Sequence, residues 1–337
     1  MAVEFITQQG RSVEPSGNVA QRLLQSGMDL QSLRPCATLQ KDEWNLMDQA
    51  VKQVARERLN VVNDMRAAGM TFNVPNAMGV MSVQHHVASD MTQAQVTMDA
   101  INKTPNDRSL FDLRTTPLPV VHHDFHITSR VLTASRRNGI GLDTTQVEEA
   151  TRQVIEKIED MVINGLPVEE TLGIGSSSAS VFGLRTFPDR GTATLVTDWT
   201  ASTKTGSDIK DDVLGMVQTA HDARHFGPFN LYVPTNYGVL LGDDYSTSAD
   251  AGVRTIQDRL EAMPSINAVK VADKLPNNEV ALVEMSRTNM DVLVGFNPTV
   301  VQWEGEGGMV NYFKVMSIIV PRPKSDFNAN SGIVHLS

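Results

Sequence analysis

Residues 144–165 read TTQVEEATRQVIEKIEDMVING, and this stretch carries the clearest pattern in the 337-residue chain. Its apolar side chains recur every three or four residues, which is the spacing that places them on one face of an α-helix. That face consists of Val147, Ala150, Val154, Ile158, Met161 and Val162. Thr145 and Glu148 have the spacing of a capping box, and Gly165 follows as a helix-ending glycine. The sequence therefore predicts a helix of about 20 residues, roughly 30 Å long, which is enough to cross a domain.

The segment before this helix, residues 72–119, contains many turn-forming residues between short alternating stretches. The turn formers are Pro75, Asn76, Gly79, Pro105, Asn106, Pro117 and Pro119. Alternating stretches such as residues 95–100, QVTMDA, predict strands with one polar face. Together these signals predict a long, extended hairpin. Because a lone monomer would support such a hairpin poorly, we expect it to pack against neighbouring subunits.

Two further segments precede the hairpin. Residues 1–40 are polar and could not bury enough apolar surface to fold alone, so we interpret them as an arm that becomes ordered on a partner. A frayed terminus is the alternative. Residues 41–68 carry an apolar stripe at helical spacing and predict one helix, with Gly69 at its C-terminal end.

The rest of the chain mixes helical and strand patterns without regular alternation and without an internal repeat. Helices are predicted at residues 208–225 and 252–262, and strands at residues 120–131, 193–196, 230–233, 268–271, 280–283, 292–294, 300–303 and 313–320. We expect Pro321 and Pro323 to stop the last strand and residues 328–337 to form a polar tail. This order predicts an α+β fold.

The composition excludes several classes of protein. The formal net charge is −10 and the basic residues are scattered, which argues against a dedicated reader of nucleic acid. Cys36 is the only cysteine, so an intrachain disulfide and a four-cysteine zinc site are impossible. No run approaches the ~18 apolar residues of a membrane span, and the first residues lack a signal-peptide pattern. We therefore expect a protein made in a reducing cytoplasm that does not enter a membrane.

One group of residues has the composition of a metal site. His122, Asp124 and His126 lie on the same face if residues 120–131 form a strand, and two imidazoles with a carboxylate can bind a divalent metal ion. His85 and His86 are too distant along the chain to assign to this group. We favour the alternative, a polar strand face that meets another subunit or a loop.

The other candidates for chemistry are weaker. Residues 173–178, GIGSSS, lack the lysine of a phosphate-binding loop and predict a flexible turn. His221 and His225 lie one helical turn apart beside Asp222, which would suit a metal or acid–base group, but histidines also complement a helix C-terminus. The motifs of the known nucleophilic hydrolases and zinc proteases are missing. We therefore assign no catalytic, cofactor-binding or metal-binding residues and expect that the protein is not an enzyme.

The order of these features resembles the Hong Kong 97-like family, which contains the major capsid proteins of tailed bacteriophages and the encapsulin shell proteins. Three short stretches also resemble the family in amino-acid sequence. The first is Leu118–Pro119 followed by Phe125, Ile127 and Arg130. The others are residues 181–184, VFGL, where valine replaces the family's isoleucine, and residues 232–237, YVPTNY. The resemblance covers nearly the whole chain, although each motif is degenerate.

The resemblance implies a domain organisation. It makes residues 1–40 an N-terminal arm, residues 41–71 the first helix of a peripheral domain and residues 72–119 the long hairpin called the E-loop. The peripheral domain would continue over residues 120–206 with its spine helix at 144–165. Residues 207–290 would form the axial domain, and residues 291–337 would return to the peripheral domain and end in the tail.

The resemblance also implies a function: a major capsid protein that assembles through hexamers and pentamers into an icosahedral head. The head would enclose double-stranded DNA without sequence-specific binding, with a scaffolding protein, a portal and a decoration protein as further partners. Assembly would take place in the bacterial host cytoplasm, and the product would be part of the virion.

Two alternatives stay open. Trp44 and the residues after it resemble the opening helix of encapsulins, which implies a compartment shell around a cargo enzyme, but the roughly forty residues before that helix favour a viral arm. An enzyme or binding module on an unrelated α+β fold is the second alternative. Some members of the family join their subunits by a Lys–Asn isopeptide bond, for which Lys103 with Asn328 or Asn330 would be the residues here. We favour an unlinked shell.

Overall fold

The computed structural model of the chain describes residues 5–6, 12–13, 41–58, 60–94, 96–99, 107–138, 144–171, 176–245, 254–305, 307 and 309–337. Most of the predicted arm, Cys36, Lys103 and residues 173–175 of the predicted glycine-rich turn lie outside these ranges. The chain divides into two compact units. The first comprises Met1–Val54, His122–Thr151 and Thr299–Val315, and the second comprises Ala55–Val121, Arg152–Pro298 and Met316–Ser337.

Helices and strands alternate irregularly along the chain. The helices are α1 (Lys41–Arg58), α2 (Asn60–Ala67), α3 (Ser129–Asn138), α4 (Thr145–Asn164), α5 (Gly206–Asp222), α6 (Thr235–Gly238) and α7 (Ile256–Glu261). The strands are β1 (Phe5–Ile6), β2 (Ser12–Val13), β3 (Thr71–Asn73), β4 (Ser82–Ala88), β5 (Phe111–Pro117), β6 (Val121–Thr128), β7 (Leu166–Thr171), β8 (Ser176–Val181), β9 (Gly191–Ala193), β10 (Phe229–Val233), β11 (Ile266–Val271), β12 (Val280–Glu284), β13 (Met290–Gly305), β14 (Val310–Pro323) and β15 (Ile333–Leu336).

Within the described residues, the strands form two larger sheets and three two-stranded pairs. One sheet has the order β11-β10-β12-β15-β9 and the other has the order β3-β13-β14-β6, while β1-β2, β4-β5 and β7-β8 pair separately. In the five-stranded sheet, β10 runs parallel to β11 and antiparallel to β12. Mixed strand directions and irregularly placed helices define an α+β fold, which confirms the predicted class.

The five-stranded sheet carries the larger core. Every residue of β10 is buried, and Ile209, Val213 and Met216 of α5 belong to the same apolar cluster as the sheet. The helix begins with a complete capping box between Thr205 and Asp208, which satisfies backbone groups that the first turn leaves unpaired. This packing gives the second unit a fixed framework.

Helix α4 matches the predicted long helix closely. All six residues of the predicted apolar face are at most 2 % exposed. The sequence predicted Thr145 as the capping residue, but the helix begins at Thr145 itself, one residue earlier than expected. The hydroxyl of Thr144 donates to Glu148 Oε1 at 2.7 Å. Gly165 ends the helix with φ +71°, and a Cβ there would lie 2.6 Å from the carbonyl oxygen of Val181, so only glycine fits.

Several predicted boundaries are wrong. The helix expected over residues 41–68 is helical at Lys41–Arg58 and Asn60–Ala67, on either side of residue 59, which lies outside the described residues. Gly69 (φ +73°) ends it, and Met70 N–H closes the turn onto Met65 O at 2.8 Å. Residues 129–131, expected to end a strand, begin helix α3 instead. Residues 96–99, expected within a strand, lie outside any strand. The strands predicted at 292–294 and 300–303 are one continuous strand, β13.

The prediction for the end of the chain is also wrong. Strand β14 runs through Pro321 and Pro323, because proline fixes φ near −65°, which an extended strand can accommodate. The expected polar tail contains β15, whose residues are all buried between β12 and β9. His335 made this stretch look polar, but its Nε2 lies 2.8 Å from Glu279 Oε2, so the ring is buried with a partner.

One buried carboxylate joins α4 to the start of α2. Glu159 is 5 % exposed, and its Oε1 accepts the N–H of Val61 in the first turn of α2 at 2.7 Å. Its Oε2 is buried and has no partner among the described residues. Burial raises the pKa of Glu159 to about 7; backbone hydrogen bonds oppose this shift, and nearby Asp273 and Asp64 add to it.

Glu159 is expected to make the free energy of unfolding depend on pH. Since the folded state raises the pKa from its ordinary value, folding takes up a proton, and the group's contribution to stability is present at low pH and lost as the pH rises towards 7. Relative to Glu159→Gln, the wild-type protein should lose about 2.5 kcal/mol between pH 5 and pH 8. Urea unfolding of both proteins at the two pH values measures this, and a constant difference would contradict it.

Candidate self-assembly surfaces

Strands β4 and β5 form a regular antiparallel hairpin. Their register runs from Ser82 opposite Pro117 to Ala88 opposite Phe111. This confirms that the segment at residues 72–119 contains a hairpin. Beyond the pair, Ser89 N–H donates to Leu110 O at 2.8 Å, and the carboxylate of Asp107 accepts the backbone N–H of Thr92 at 2.6 Å. These bonds continue the hairpin beyond the paired strands as far as Thr92 and Asp107.

The hairpin has two chemically different faces, because side chains alternate along each strand. One face carries Val83, His85 and Val87 on β4 and Arg114 and Thr116 on β5, all of which are buried or partly buried. The opposite face is exposed except at Pro117, and it consists of Ser82, Gln84, His86, Ala88, Phe111, Leu113, Thr115 and Pro117.

The exposed face is apolar at the end where the register closes with Ala88 opposite Phe111. Phe111 is 70 % exposed and Leu113 is 49 % exposed, and the Phe111 ring meets the His86 ring edge-on with centroids 6.4 Å apart. Leu110 and Met91, just beyond the strands, are also largely exposed. Single exposed apolar side chains are ordinary, but a group of them on one strand pair is typical of a surface that binds another protein.

The buried face is anchored at the root of the hairpin by an ionic network. Arg114 donates to Asp189 Oδ2 at 2.6 Å and to Ser325 Oγ at 2.8 Å, and Ser325 donates to the same carboxylate oxygen at 2.6 Å. Burial alone would raise the pKa of Asp189, but the hydrogen bonds from Arg114 and Ser325 lower it. The carboxylate therefore stays ionised in mild acid and keeps its hold on Arg114.

A second exposed surface lies on the parts of β6, β13 and β14 that belong to the first unit. The ring of Tyr312 stacks on Trp303 with centroids 5.6 Å apart. The ring of His126 is tilted against Tyr312, with centroids 6.0 Å apart. Lys314 lies over Trp303 and 3.4 Å from Asp124 Oδ2. Trp303 remains 41 % exposed, so this face combines aromatic area with charge.

The residues considered as a metal site lie on this second surface but do not converge. His122 Nδ1 lies 3.6 Å from Asp124 Oδ1, whereas Lys314 pairs with the other carboxylate oxygen and His126 contacts Tyr312. The ammonium group of Lys314 thus lies beside the carboxylate of Asp124, and a metal ion would have to compete with that ammonium group for the carboxylate. Within the described residues, no group of three or more His, Cys, Asp or Glu side chains is arranged to hold a metal ion.

The other histidines singled out in the sequence are also kept apart. His221 lies in the last turn of α5 against Phe226, while His225 hydrogen-bonds to Glu284 and Asp222 accepts from Gln218. His85 and His86 point to opposite faces of the hairpin. Of residues 173–178, only 176–178 are described, and they begin β8.

The asparagines considered for an isopeptide bond each have a partner. Asn328 Nδ2 donates to Asp90 at 3.2 Å, and the backbone and side-chain nitrogens of Asn330 donate to Asp326. Lys103 lies outside the described residues.

Two buried or partly buried charge clusters were not predicted from the sequence. One is the Arg114–Asp189–Ser325 network, whose members are 75 and 211 positions from Arg114. The other is Asp291, which is bound by Arg322 and Lys324. No local pattern encodes either cluster, because folding alone brings the partners together.

Among the helices that the structure describes, none has the length and apolar content that crossing a bilayer requires.

Solved structures share this fold over most of their length. A virus-like particle from Pyrococcus furiosus is similar with a TM-score of 0.62 at 15% identity, covering 86% of this chain and 98% of that one. The capsid of Myoviridae phage XM1 is similar with a TM-score of 0.58 at 12% identity, covering 78% and 88%. The capsid of an empty GTA particle is similar with a TM-score of 0.54 at 11% identity, covering 80% and 87%.

The chain therefore has the Hong Kong 97-like capsid fold, which confirms the fold expected from the order of its sequence features. It belongs to the family of unknown function DUF6260, which matches residues 34–336. Comparison with the curated proteins gave no match.

Proposed function

We propose that this chain is a major capsid protein, a structural subunit that assembles with copies of itself into the icosahedral head of a tailed bacteriophage. The observation that carries the proposal is the combination of the capsid fold with a hairpin whose outward face is apolar and exposed. A subunit that worked alone would gain nothing from exposing Phe111 and Leu113. A subunit that binds its neighbours needs such a surface.

The domain organisation follows the resemblance, with one revision. Residues 1–40 act as the arm, residues 72–119 as the E-loop and α4 as the spine helix of a peripheral domain that includes residues 41–71 and 120–206. Residues 207–290 supply most of the axial domain. Because β15 pairs with β12, we assign the last residues of the 291–337 segment to the axial sheet rather than to a free tail.

The work of such a subunit is distributed over several contacts. A specific protein contact buries about 1,200–2,000 Å², and a shell subunit needs several neighbours. The hairpin supplies apolar area at a distance from the body, while the Arg114 network fixes the direction from which it extends. Each contact can be weak, since a closed shell combines many of them.

The remaining partners follow from the same role. Subunits group into hexamers and pentamers, with a scaffolding protein and a portal during assembly and a decoration protein on the outer surface. The head encloses double-stranded DNA without sequence-specific contacts, which suits a chain of net charge −10. Assembly takes place in the bacterial host cytoplasm and the product is the virion.

A second candidate function is a compartment shell that encloses a cargo enzyme. The observation that favours it is the similarity to the virus-like particle from Pyrococcus furiosus, at a TM-score of 0.62. In both functions the chain assembles with itself and performs no catalysis.

Expression of the chain in bacteria, with and without a co-expressed scaffold, tests the proposal. Sedimentation followed by negative-stain microscopy should show closed shells of uniform size. Particles that carry one co-purifying enzyme in place of DNA-packaging partners would favour the compartment. A small monomer that forms no shells under either condition would overturn both.

A further inference from the structure

The root of the hairpin contains a histidine in an unusual setting. His85 lies on the buried face of β4, directly opposite Arg114 in the register of the pair. Both of its ring nitrogens are shielded from solvent, and neither has a hydrogen-bond partner among the described residues. A neutral imidazole tolerates this arrangement far better than a charged one.

The charges around His85 are predominantly positive. Burial lowers the pKa of the ring, and Arg322, Lys324 and Arg114 lower it further, whereas Asp291 opposes them. The carboxylates nearby are already engaged. Asp291 is bound by Arg322 and Lys324, and Asp189 is bound by Arg114 and Ser325. On β5, Asp112 also lies 3.6 Å from Arg114.

Protonation of His85 would therefore add a fourth cation to Arg114, Arg322 and Lys324 at the buried face of the hairpin. No nearby carboxylate would be left to pair with it. The nearest way to relieve this repulsion is to move β4 and β5 away from the body. That movement would break the two bonds from Arg114 to Asp189 and Ser325, which hold the root.

We propose that His85 is an acid-sensitive release for the hairpin: its neutral ring permits the hairpin to dock on Asp189 and Ser325, and its protonated ring frees the hairpin to move. The proposal deepens the proposed function and rests on it for its biological meaning, since a hairpin that binds neighbours would then change its reach with pH. The release itself is a property of the single subunit.

The direction and size of the effect follow from linkage. The docked state lowers the pKa of His85, so the docking contribution is present above the ordinary imidazole pKa of about 6.5 and is lost as the pH falls below it. If the docked ring stays neutral, lowering the pH from 8 to 5 shifts the equilibrium towards the released hairpin by up to about 30-fold.

Hydrogen exchange of the full chain measures the release. Unassembled subunits are isolated by gel filtration and compared at pH 7.5 and pH 5.0, with amide protection corrected for the intrinsic exchange rate. In the wild type, peptides from residues 82–117 should lose up to about 30-fold in protection at pH 5.0. Peptides from β10 and β12 should stay protected at both pH values, which shows that the subunit remains folded.

Adjacent histidines supply a matched pair of variants. His85→Gln is expected to keep the hairpin protected at both pH values, whereas His86→Gln, on the exposed face, should respond to pH as the wild type does. Asp189→Asn supplies a reference for the released hairpin, with low protection at both pH values. If glutamine itself loosens the root at pH 7.5, the neutral variant His85→Leu replaces it.

Two results would overturn the proposal: hairpin protection in the wild type that does not change with pH, or a pH response that survives in both neutral variants at position 85. Neither result depends on shells. If the hairpin is released in acid but the chain never assembles, the proposed function fails and the release stands.

Discussion

Replacing Phe111 and Leu113 together by aspartate is expected to abolish shell assembly while leaving the subunit folded. Both side chains are largely exposed in the subunit, so their replacement costs little in folding. In a contact between subunits, the apolar end of the exposed hairpin face that they form would be at the centre of the buried area. Central apolar contacts contribute about 2 kcal/mol or more each, so the double variant should weaken each contact by several hundred-fold.

Sedimentation measures the fraction of subunits in particles for this variant and for a matched control. The control, Phe111→Met with Leu113→Met, keeps apolar side chains at both positions and should assemble. Circular dichroism and thermal unfolding should be unchanged in both variants. If the charged double variant forms particles at wild-type yield, the exposed hairpin face does not contribute to the contacts between subunits.

The second large effect is expected from Asp291→Asn. Asp291 is 1 % exposed, and its carboxylate accepts hydrogen bonds from Arg322 Nε at 2.8 Å and from Lys324 Nζ at 2.9 Å. Burial alone would raise the pKa of Asp291, but these hydrogen bonds lower it, so the carboxylate is ionised at neutral pH. Asparagine would leave Arg322, itself 5 % exposed, as a buried cation without its anion. Breaking such a pair costs about 3–5 kcal/mol.

Urea unfolding of the unassembled subunit measures this loss. The matched control is Asp124→Asn, which removes a carboxylate from an exposed pair with Lys314 at 3.4 Å. An exposed pair contributes about 0–1 kcal/mol, so the control should unfold almost as the wild type does. Equal losses in the two variants would contradict the role of burial in this cluster.

The sequence predicted those parts of the fold that are encoded locally. Helix α4 was predictable because its apolar face recurs at helical spacing along its length and because it ends at Gly165. The φ of +71° there favours glycine, and a Cβ would lie 2.6 Å from the carbonyl oxygen of Val181. The hairpin was predictable because turn formers bracket alternating residues. The family resemblance then followed from the order of such elements, although no single motif was decisive.

Elements that depend on distant partners were missed. Strand β15 was missed because its four residues, three of them apolar, follow a polar stretch and include His335. The burial of that histidine depends on Glu279, which pairs with it from 56 positions away. The same limit applies to the assembly surfaces. Sequence indicated that a hairpin would reach neighbours, but the apolar face of Phe111 and Leu113 emerged only from the strand register, and the anchor at Arg114 only from residues brought together by folding.

The most direct test of the account is a cryo-electron microscopy reconstruction of the particles that the chain forms. We predict a closed icosahedral shell in which the β4–β5 hairpin of each subunit lies across a neighbour and the side chains of Phe111 and Leu113 are buried by it. A shell in which both side chains remain in solvent, or a chain that stays monomeric, would contradict the central claim.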